Sequence, residues 1–159
     1  MSYRRLYVPG AVYFFTVVTY RRQPLFADPH NVELLRDAFC QVKQQYPFTI
    51  DAIVVLPDHI HALWSLPDGD ADYSGRWRRI KTYFSRRCQP RYDLPVANSR
   101  LQKGEKGVWQ RRFWEHKIRD ERDFHNHVAY IHHNPVKHGF VAHPAEWAYS
   151  TYRRHTTPE

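Results

Sequence analysis

Two apolar, strand-like segments separated by only two residues constrain the fold more than any other feature of the sequence. They span residues 50–56 and 59–66, and the residues between them, Pro57 and Asp58, are typical of tight turns. Parallel strands need a crossover of about a dozen or more residues, so strands joined this closely run antiparallel. The sequence therefore predicts a β-hairpin at 50–66.

Apolar periodicity divides the rest of the chain into strands and helices. β-branched and aromatic residues at strand length indicate strands, and apolar residues at helical spacing indicate helices. In chain order we predict a strand at 12–20, a helix at 29–45, the hairpin, a helix containing 77–88, a strand at 108–118 and a helix from 121 to a break at Asn134-Pro135. This order is typical of an α+β, ferredoxin-like antiparallel sheet with helices packed on one face.

The segment 89–107 is polar and shows no periodicity. Loops of this length inside a compact domain are uncommon and tend to be mobile or functional. No internal repeat or linker interrupts the chain, and 159 residues usually form one domain. We therefore predict a single domain over 1–159 with a long basic loop at 89–107.

Positive charge is concentrated in one part of the chain. The net charge is +8, but residues 76–119 contain ten Arg and four Lys against three acidic residues, so the remainder is slightly negative. Arg outnumbers Lys 18 to 6, and its planar side chain suits bidentate contacts to phosphate and guanine. A localised positive surface favours a polyanion as partner, most often nucleic acid, although a solvated basic helix and loop would have the same composition.

The composition excludes other classes of protein. Aromatic residues make up 16% of the chain, which excludes a disordered polyelectrolyte, and no segment approaches the ~20 apolar residues of a membrane span. The two cysteines, Cys40 and Cys88, are expected at buried helical positions as reduced thiols. Because no apolar leader follows the N-terminal arginines, we predict a cytoplasmic, nucleoid-associated protein without membrane contact.

Two histidines alternate with an isoleucine in the second strand of the hairpin. Since side chains alternate between the faces of a sheet, His59 and His61 point to one face and Ile60 to the other. Two imidazoles on one face form half of a metal site. An isolated His-x-His pattern is nevertheless more often explained by surface or hydrogen-bonded histidines.

Tyr130 and Asn134 lie four residues apart near the end of the last helix, so they share one of its faces. An amide oxygen can join two imidazoles around a hard divalent ion such as Mg²⁺ or Mn²⁺. Taken alone, the pair is more simply explained as a core tyrosine and an ordinary asparagine before proline.

Four segments, taken together and in this order, resemble the REP-associated tyrosine transposases, which belong to the single-tyrosine His-hydrophobic-His (HUH) transposases. The segments are VVLPDHIHALWSLP (54–67), RWRRIKTYFSRR (76–87), VWQRRFWEHKIRDERDF (108–124) and YIHHNPVKHGFV (130–141). The opening YRRLYVPGAVYFFTVVTYRR (3–22) is similar as well, so the resemblance covers almost the whole chain.

The resemblance implies an HUH endonuclease fold in which His59, His61 and Asn134 bind Mg²⁺ or Mn²⁺ and Tyr130 is the catalytic nucleophile. It implies that the tyrosine attacks a phosphate of single-stranded DNA and leaves a 5′-phosphotyrosine and a free 3′-hydroxyl. Strand transfer can then follow without ATP. A free tyrosine has a pKa of about 10 and is a poor nucleophile at neutral pH, which agrees with a need for metal assistance.

The partner implied is single-stranded DNA with imperfect hairpins of the REP or BIME type, bound by a monomer. Candidate phosphate and guanine contacts are Arg4, Arg5, Arg76, Arg78, Arg79, Arg86, Arg87, Arg111 and Arg112. Candidates for base stacking are the exposed members of a set of four aromatic residues, Trp77, Tyr83, Trp109 and Trp114.

Two other functions fit part of the sequence. A non-catalytic regulatory protein that binds DNA hairpins would use the positive charge, but it has no chemical reason to keep His59, His61, Tyr130 and Asn134 together. A metallohydrolase with a water nucleophile needs a general base, and the only carboxylate near the histidine pair, Asp58, is expected to face away.

Four further histidines lie near these motifs. His132 and His133 compete with Asn134 as candidates for the third metal ligand. His116 and His138 are expected to be hydrogen-bonded framework residues.

Overall fold

The protein is built on a four-stranded antiparallel sheet in the computed structural model, which describes residues 5–156. The strands are β1 (Val12–Val18), β2 (Thr49–Leu56), β3 (His59–Ser65) and β4 (Trp114–Lys117). They lie in the order β2-β3-β1-β4, and all neighbouring pairs run antiparallel. The predicted α+β, ferredoxin-like fold is confirmed.

The described part of the chain contains five α-helices. They are α1 (Pro29–Gln45), α2 (Tyr73–Arg87), α3 (Asn98–Gln102), α4 (Glu121–Lys137) and α5 (Tyr152–Thr156). Asp28 and Asp120 cap α1 and α4, because each side chain accepts a hydrogen bond from a backbone N–H of the first turn. None of these helices combines the length and apolarity that a bilayer span requires.

The predicted hairpin is confirmed, with Pro57 and Asp58 as its turn. His59, the first residue of β3, pairs with Leu56 of β2 on one side and with Val18 of β1 on the other. The carbonyl of Asp58 accepts a hydrogen bond from the backbone N–H of Thr19 at 3.0 Å. The segment after β1 therefore holds the turn, and two strands together set the register of β3.

Helices cover both faces of the sheet, so the expectation that they pack on one face was wrong. α1 and α2 cover the face that contains Phe15 and Trp64, and the rings of Trp64 and Trp77 stack there at 4.4 Å. On the opposite face, Ile131 of α4 packs with Phe14 and its neighbours. The reason lies in β1 to β3, whose side chains are apolar at both sets of alternating positions, so both faces require cover.

α4 continues through Asn134-Pro135 to Lys137, so the predicted break was wrong. Pro135 lies in the last turn, where its missing N–H removes only one intrahelical hydrogen bond. The following amides still pair, and the N–H of His138 donates to the carbonyl of Asn134 at 3.0 Å. Asn134 is therefore held by helical backbone and does not lie in a loop.

Two other segments are organised differently from the prediction. The segment 89–107 contains a single 3₁₀ turn, Pro90–Tyr92, and the short helix α3, so it is partly regular. In the predicted strand at 108–118 only β4 forms a ladder, and Trp109 makes an isolated bridge to Thr19.

The cysteines also differ from the prediction, since Cys40 is exposed and Cys88 is only half-buried. The buried side of α1 runs through Leu35, Phe39 and Val42, and position 40 lies off this stripe.

Residues 149–151 close the outer edge of the sheet. The N–H of Val55 donates to the carbonyl of Tyr149 at 2.9 Å, and the N–H of Thr151 donates to the carbonyl of Ile53 at 3.0 Å. The edge of β2 is therefore paired within the chain, which limits its pairing with another strand.

Candidate active site

The histidine pair lies on the face of β3 that α4 covers, as its alternation predicts. His59 and His61 are both buried, and their ring centroids are 4.8 Å apart. The ring of His61 stacks on Phe14 of the neighbouring strand at 5.5 Å. Ile60 points into the opposite core.

Each imidazole is oriented through its Nδ1 atom. The Nδ1 of His59 lies 2.6 Å from Oδ1 of Asp58, and the Nδ1 of His61 lies 2.9 Å from Oγ1 of Thr16. Within residues 5–156 no hydrogen bond engages the Nε2 atom of either ring. Histidines that bind metals commonly donate the other ring N–H to such an oxygen, so both Nε2 atoms are available as ligands.

Asp58 therefore faces His59, and the expectation that it points away was wrong. As the second residue of the turn, its side chain folds back onto the ring that follows it in sequence. Burial raises the pKa of Asp58, but hydrogen bonds from His59 and Arg22 outweigh this effect and lower it overall. The carboxylate is thus ionised and occupied in orienting a ligand, which argues against its use as a general base.

Both imidazoles are uncharged at neutral pH. Burial lowers the pKa of His61 to about 3, and Lys137 and, when protonated, His59 and His138 act in the same direction. Burial also lowers the pKa of His59, against the opposing effect of Asp58. A neutral imidazole keeps the lone pair that a metal ion requires.

One face of α4 lies over the pair. Tyr130, Asn134 and His138 follow one another at intervals of four residues and so share this face. The ring of Tyr130 lies 5.3 Å from that of His61, and the ring of His138 lies 5.3 Å from that of His59. Asn134, between them, therefore faces the pair, and the structure brings together the four residues singled out in the sequence.

Asn134 is fully buried, and neither Oδ1 nor Nδ2 has a hydrogen-bond partner among the described residues. A buried polar group without a partner costs about 1–3 kcal/mol, and native proteins contain few of them. The amide oxygen, together with two free imidazole nitrogens, is a donor set that suits a divalent cation. These residues therefore fit the metal that the sequence resemblance implies.

Tyr130 is 40% exposed, and it is surrounded by residues that the sequence did not single out. Phe14 meets its ring edge-on at 5.9 Å, and Nζ of Lys137 lies 5.1 Å from the ring centroid. Trp114 of β4, a stacking candidate, is half-exposed and also contacts Phe14, at 6.1 Å. Strand pairing could have found Thr16, which faces His61 in the register, but Lys137 had no sequence signal.

The other histidines near the site are placed differently from expectation. His132 turns away, with Nε2 2.9 Å from Oγ1 of Thr151, and burial lowers its pKa to about 4. His133 is exposed. In the described structure neither residue makes a ring contact with His59 or His61. By contrast His138, which we expected in the framework, lies at the rim of the site.

Arg76 does not reach the surface with the other arginines of α2, because its guanidinium is buried. It donates to both carboxylate oxygens of Asp70, at 2.9 and 2.7 Å, and to the carbonyls of Tyr46 and Pro47. Its role is structural, so the prediction that it contacts DNA is corrected. Arg4 lies outside the described residues.

Most of the remaining candidate arginines have partners within the chain, including Arg87, which lies over the ring of Tyr83 at 3.5 Å, and Arg111, which pairs with Glu105 at 3.3 Å. Arg5 pairs with Glu115 and lies over the ring of Phe113 at 4.0 Å, and Arg79 lies over the ring of Tyr46 at 4.1 Å. The exposed members of the set are Arg78, Arg86, Arg87, Arg111 and Arg112. Of the aromatic candidates, Trp77 and Trp109 belong to the core, and Tyr83 is half-buried.

A basic groove of about 600 Å³ lies between α2 and the residues 100–113, and we call it the α2 groove. Its charged lining is Arg5, Arg78, Lys81, Arg86, Arg100, Lys103, Glu105, Lys106 and Arg111. Lys81 is half-buried and donates to the carbonyl of Gln110 at 2.9 Å. Burial lowers the pKa of Lys81 to about 8, and the groove remains strongly positive at neutral pH.

The sheet, the histidine pair and the tyrosine-bearing helix define a class of DNA transposase. Residues 8–134, which include all strands of the sheet and α4 as far as Asn134, match the family described as "Transposase IS200 like". The chain belongs to this family, and the predicted enzyme class, a tyrosine transposase, is confirmed.

Two curated relatives place the chain more narrowly. It is 44% identical to the REP-associated tyrosine transposase of Escherichia coli K12 over 154 residues, which cover 96% of this chain and 83% of the relative. It is 42% identical to a putative REP-associated tyrosine transposase of Haemophilus influenzae over 158 residues, which cover 99% of this chain and 89% of the relative. The chain therefore belongs to the REP-associated tyrosine transposases.

Solved structures agree with this placement. A REP-associated tyrosine transposase bound to a REP hairpin superposes with a TM-score of 0.80 at 42% identity, over 97% of this chain and 84% of the other. A putative transposase from Deinococcus radiodurans gives a TM-score of 0.51 at 20% identity, over 82% and 95% of the two chains, and shows a shared fold only.

Proposed function

We propose that the protein is a metal-dependent endonuclease and strand transferase that acts on single-stranded DNA with REP-type hairpins. In this proposal Tyr130 forms a covalent 5′-phosphotyrosine with the cleaved strand. The observation that carries it is Asn134, which α4 holds buried and unpaired on the helix face that covers the histidine pair, one turn after Tyr130. Packing alone does not favour an amide in this position, and metal binding does.

The metal ligands would be the Nε2 atoms of His59 and His61 and the Oδ1 atom of Asn134, and the metal Mg²⁺ or Mn²⁺. Bound there, such an ion polarises the scissile phosphate and offsets the negative charge that develops on its oxygens. Asp58 and Thr16 hold the two rings in the orientation that exposes Nε2. All four proposed residues come from one chain, which supports a protein that works as a monomer.

Tyr130 acts as the nucleophile. Its phenol oxygen loses a proton to solvent and bonds to the phosphorus, the bond from phosphorus to the 3′-oxygen breaks, and that oxygen takes up a proton. Lys137, 5.1 Å from the ring centroid, supplies a positive charge beside the phenol as it becomes negative. The new ester conserves the phosphodiester bond, so attack by another 3′-hydroxyl joins strands and releases the tyrosine.

The DNA would bind across two surfaces. The α2 groove is wide and positive, which suits the phosphates of a hairpin. The exposed ring of Trp114, which contacts Phe14 as Tyr130 does, suits stacking with a base of the single strand that enters the site. The relative of known structure is bound to a REP hairpin, which supports the same class of partner here.

The test is incubation with labelled single-stranded REP-type hairpins and Mg²⁺ or Mn²⁺, followed by a denaturing gel. We expect a 5′-linked adduct that the Tyr130→Phe variant does not form although it still binds the hairpin. Tyr7→Phe is the matched control, because Tyr7 is also exposed and lies away from the histidine pair. An adduct that persists in Tyr130→Phe would refute the assignment of Tyr130 as the nucleophile.

The metal ligands are tested separately. The double variant His59→Ala, His61→Ala should lose Mg²⁺-dependent cleavage and retain hairpin binding, since the α2 groove is unchanged. If wild-type protein binds the hairpins without any cleavage in either metal, the alternative of a non-catalytic regulatory protein is favoured.

A further inference from the structure

A second group of metal-ligating side chains joins β4 to the start of α4. His116 lies in β4, and Asp123 and His127 lie in the first two turns of α4. One ligand atom of each lies within 4.8 Å of the other two. Across residues 5–156 this is the one group of three or more His, Cys, Asp or Glu side chains with such spacing.

The carboxylate of Asp123 is the centre of this group. Its Oδ2 lies 2.8 Å from Nε2 of His116, and its Oδ1 lies 3.2 Å from Nδ1 of His127. The same Nδ1 lies 2.8 Å from the backbone carbonyl oxygen of Asp123, and an ion bound at Nδ1 would replace this contact. The backbone N–H of Arg119 donates to Oδ2 at 2.9 Å and fixes the carboxylate plane. The two imidazoles stack at 4.9 Å, so both present a nitrogen to the same carboxylate from one side.

These separations suit ligands of a single ion. Ligand atoms bound at about 2.1 Å from one ion lie about 3.0–3.4 Å apart in octahedral or tetrahedral geometry. Small shifts of these two rings reach these distances, because the side chains of His116 and His127 are partly exposed, at 26% and 21%. Arg119 Nε also approaches Oδ2, at 3.4 Å, but its side chain is 75% exposed and can turn into solvent.

The donor chemistry selects the class of ion. Burial raises the pKa of Asp123, but hydrogen bonds from Arg119 and His116 outweigh it and hold the carboxyl ionised. Two imidazole nitrogens and one carboxylate oxygen are a common ligand set of Zn²⁺ and other late first-row metals.

We propose that His116, Asp123 and His127 form a binding site for Zn²⁺ or a related late first-row ion, separate from the histidine pair of β3. The ion fastens the first turns of α4 to the edge of the sheet. Phe14 connects this site with the nucleophile, since its ring lies 4.8 Å from His127 and 5.9 Å from Tyr130. The site therefore steadies the helix that carries Tyr130.

The experiment measures Zn²⁺ binding by competition with a chromogenic chelator. It uses the His59→Ala, His61→Ala protein, so that the histidine pair of β3 does not contribute. We expect one equivalent of bound Zn²⁺, lost when His116→Ala and His127→Ala are added. His125→Ala is the control, because His125 lies on the same helix with a side chain 67% exposed.

Thermal unfolding gives a second readout that does not depend on cleavage. Zn²⁺ should raise the melting temperature of the His59→Ala, His61→Ala protein. It should not change the melting temperature of the variant that also carries His116→Ala and His127→Ala. If the alanine variants do not fold, His127→Gln keeps a donor for the carbonyl of Asp123 and removes the imidazole. Zn²⁺ binding that is absent from the starting protein, or unaffected by loss of His116 and His127, would overturn the proposal.

Discussion

Replacing Asn134 with leucine should stabilise the metal-free protein. Each unpaired buried polar group costs about 1–3 kcal/mol, and Asn134 contains two such atoms in one fully buried side chain. Leucine has a similar size, removes both polar atoms and buries more apolar surface. After allowing for imperfect packing, we expect the free energy of unfolding of Asn134→Leu to exceed that of the wild type by about 1–3 kcal/mol.

Asn31 offers a matched control, for which the same substitution should lower the free energy of unfolding. Asn31 is also buried, but its Nδ2 donates to the carbonyl of Leu25 at 2.8 Å. Asn31→Leu breaks this hydrogen bond and leaves a buried carbonyl unpaired, so its free energy of unfolding should fall by about 1–3 kcal/mol. The two variants share the same chemical change and differ only in whether the amide has a partner.

Urea unfolding in the presence of EDTA measures both effects. Thermal unfolding gives a second measure, because for a chain of this size each kcal/mol of unfolding free energy shifts the melting temperature by roughly 2–4 °C. Mg²⁺ or Mn²⁺ should then stabilise the wild type, by about 2.7 kcal/mol at a hundred times the dissociation constant, and stabilise Asn134→Leu far less. If, in EDTA, Asn134→Leu unfolds at a lower urea concentration than the wild type, the unpaired amide does not destabilise the metal-free protein. It then no longer supports a metal site at Asn134.

Three further predictions concern the arginines and the exposed tryptophan. Arg76→Ala should lower the free energy of unfolding by about 2–4 kcal/mol in urea titrations, because it removes the charged partner of Asp70 and the donor of the carbonyls of Tyr46 and Pro47. The hydrogen bond from Arg76 is the main cause that lowers the pKa of Asp70 to about 2, so this contribution is present above about pH 4 and is lost as the pH falls towards 2. The pKa values of Asp58 and Asp123 are lowered as well, so the loss of stability in acid should become smaller in Arg76→Ala without disappearing, and an unchanged acid dependence would contradict the assignment. Arg78→Ala with Arg86→Ala should keep stability and weaken hairpin binding, with a salt dependence reduced by roughly 0.7–0.9 per lost phosphate contact in mobility-shift titrations; an unchanged slope would remove the α2 groove from the DNA surface. Trp114→Ala should weaken binding of the single-stranded flank by about 1–3 kcal/mol in fluorescence titrations and leave binding of the isolated hairpin unchanged, whereas equal loss for both DNAs would exclude stacking on the flank.

The sequence predicts local features of this fold well, because local features depend on neighbouring residues. The short turn at Pro57-Asp58 requires an antiparallel hairpin, and strand alternation places His59 and His61 on one face whatever the rest of the chain does. Helical spacing likewise predicts that Tyr130 and Asn134 share a face.

Features that depend on distant contacts were not predictable in this way. Arg76 reads as one more surface arginine, and only the fold brings Asp70 and the end of α1 around its guanidinium. Asn134 reads as a helix terminator before proline, because a sequence pattern does not show that later amides still pair across Pro135. The cover of both sheet faces also depends on where α4 packs.

The register of β3 links folding to the site in a way that bears on every activity measurement. Trp64 lies on the opposite face of the strand from His59 and His61, in the main core. A slip of one residue in the pairing of β3 would bury both imidazoles in that core and move Trp64 under α4, so a slipped strand is not a stable state. Molecules that have packed Trp64 in the core therefore also have both imidazoles on the face under α4. A shortfall in turnover is then not explained by histidines on the wrong face of β3.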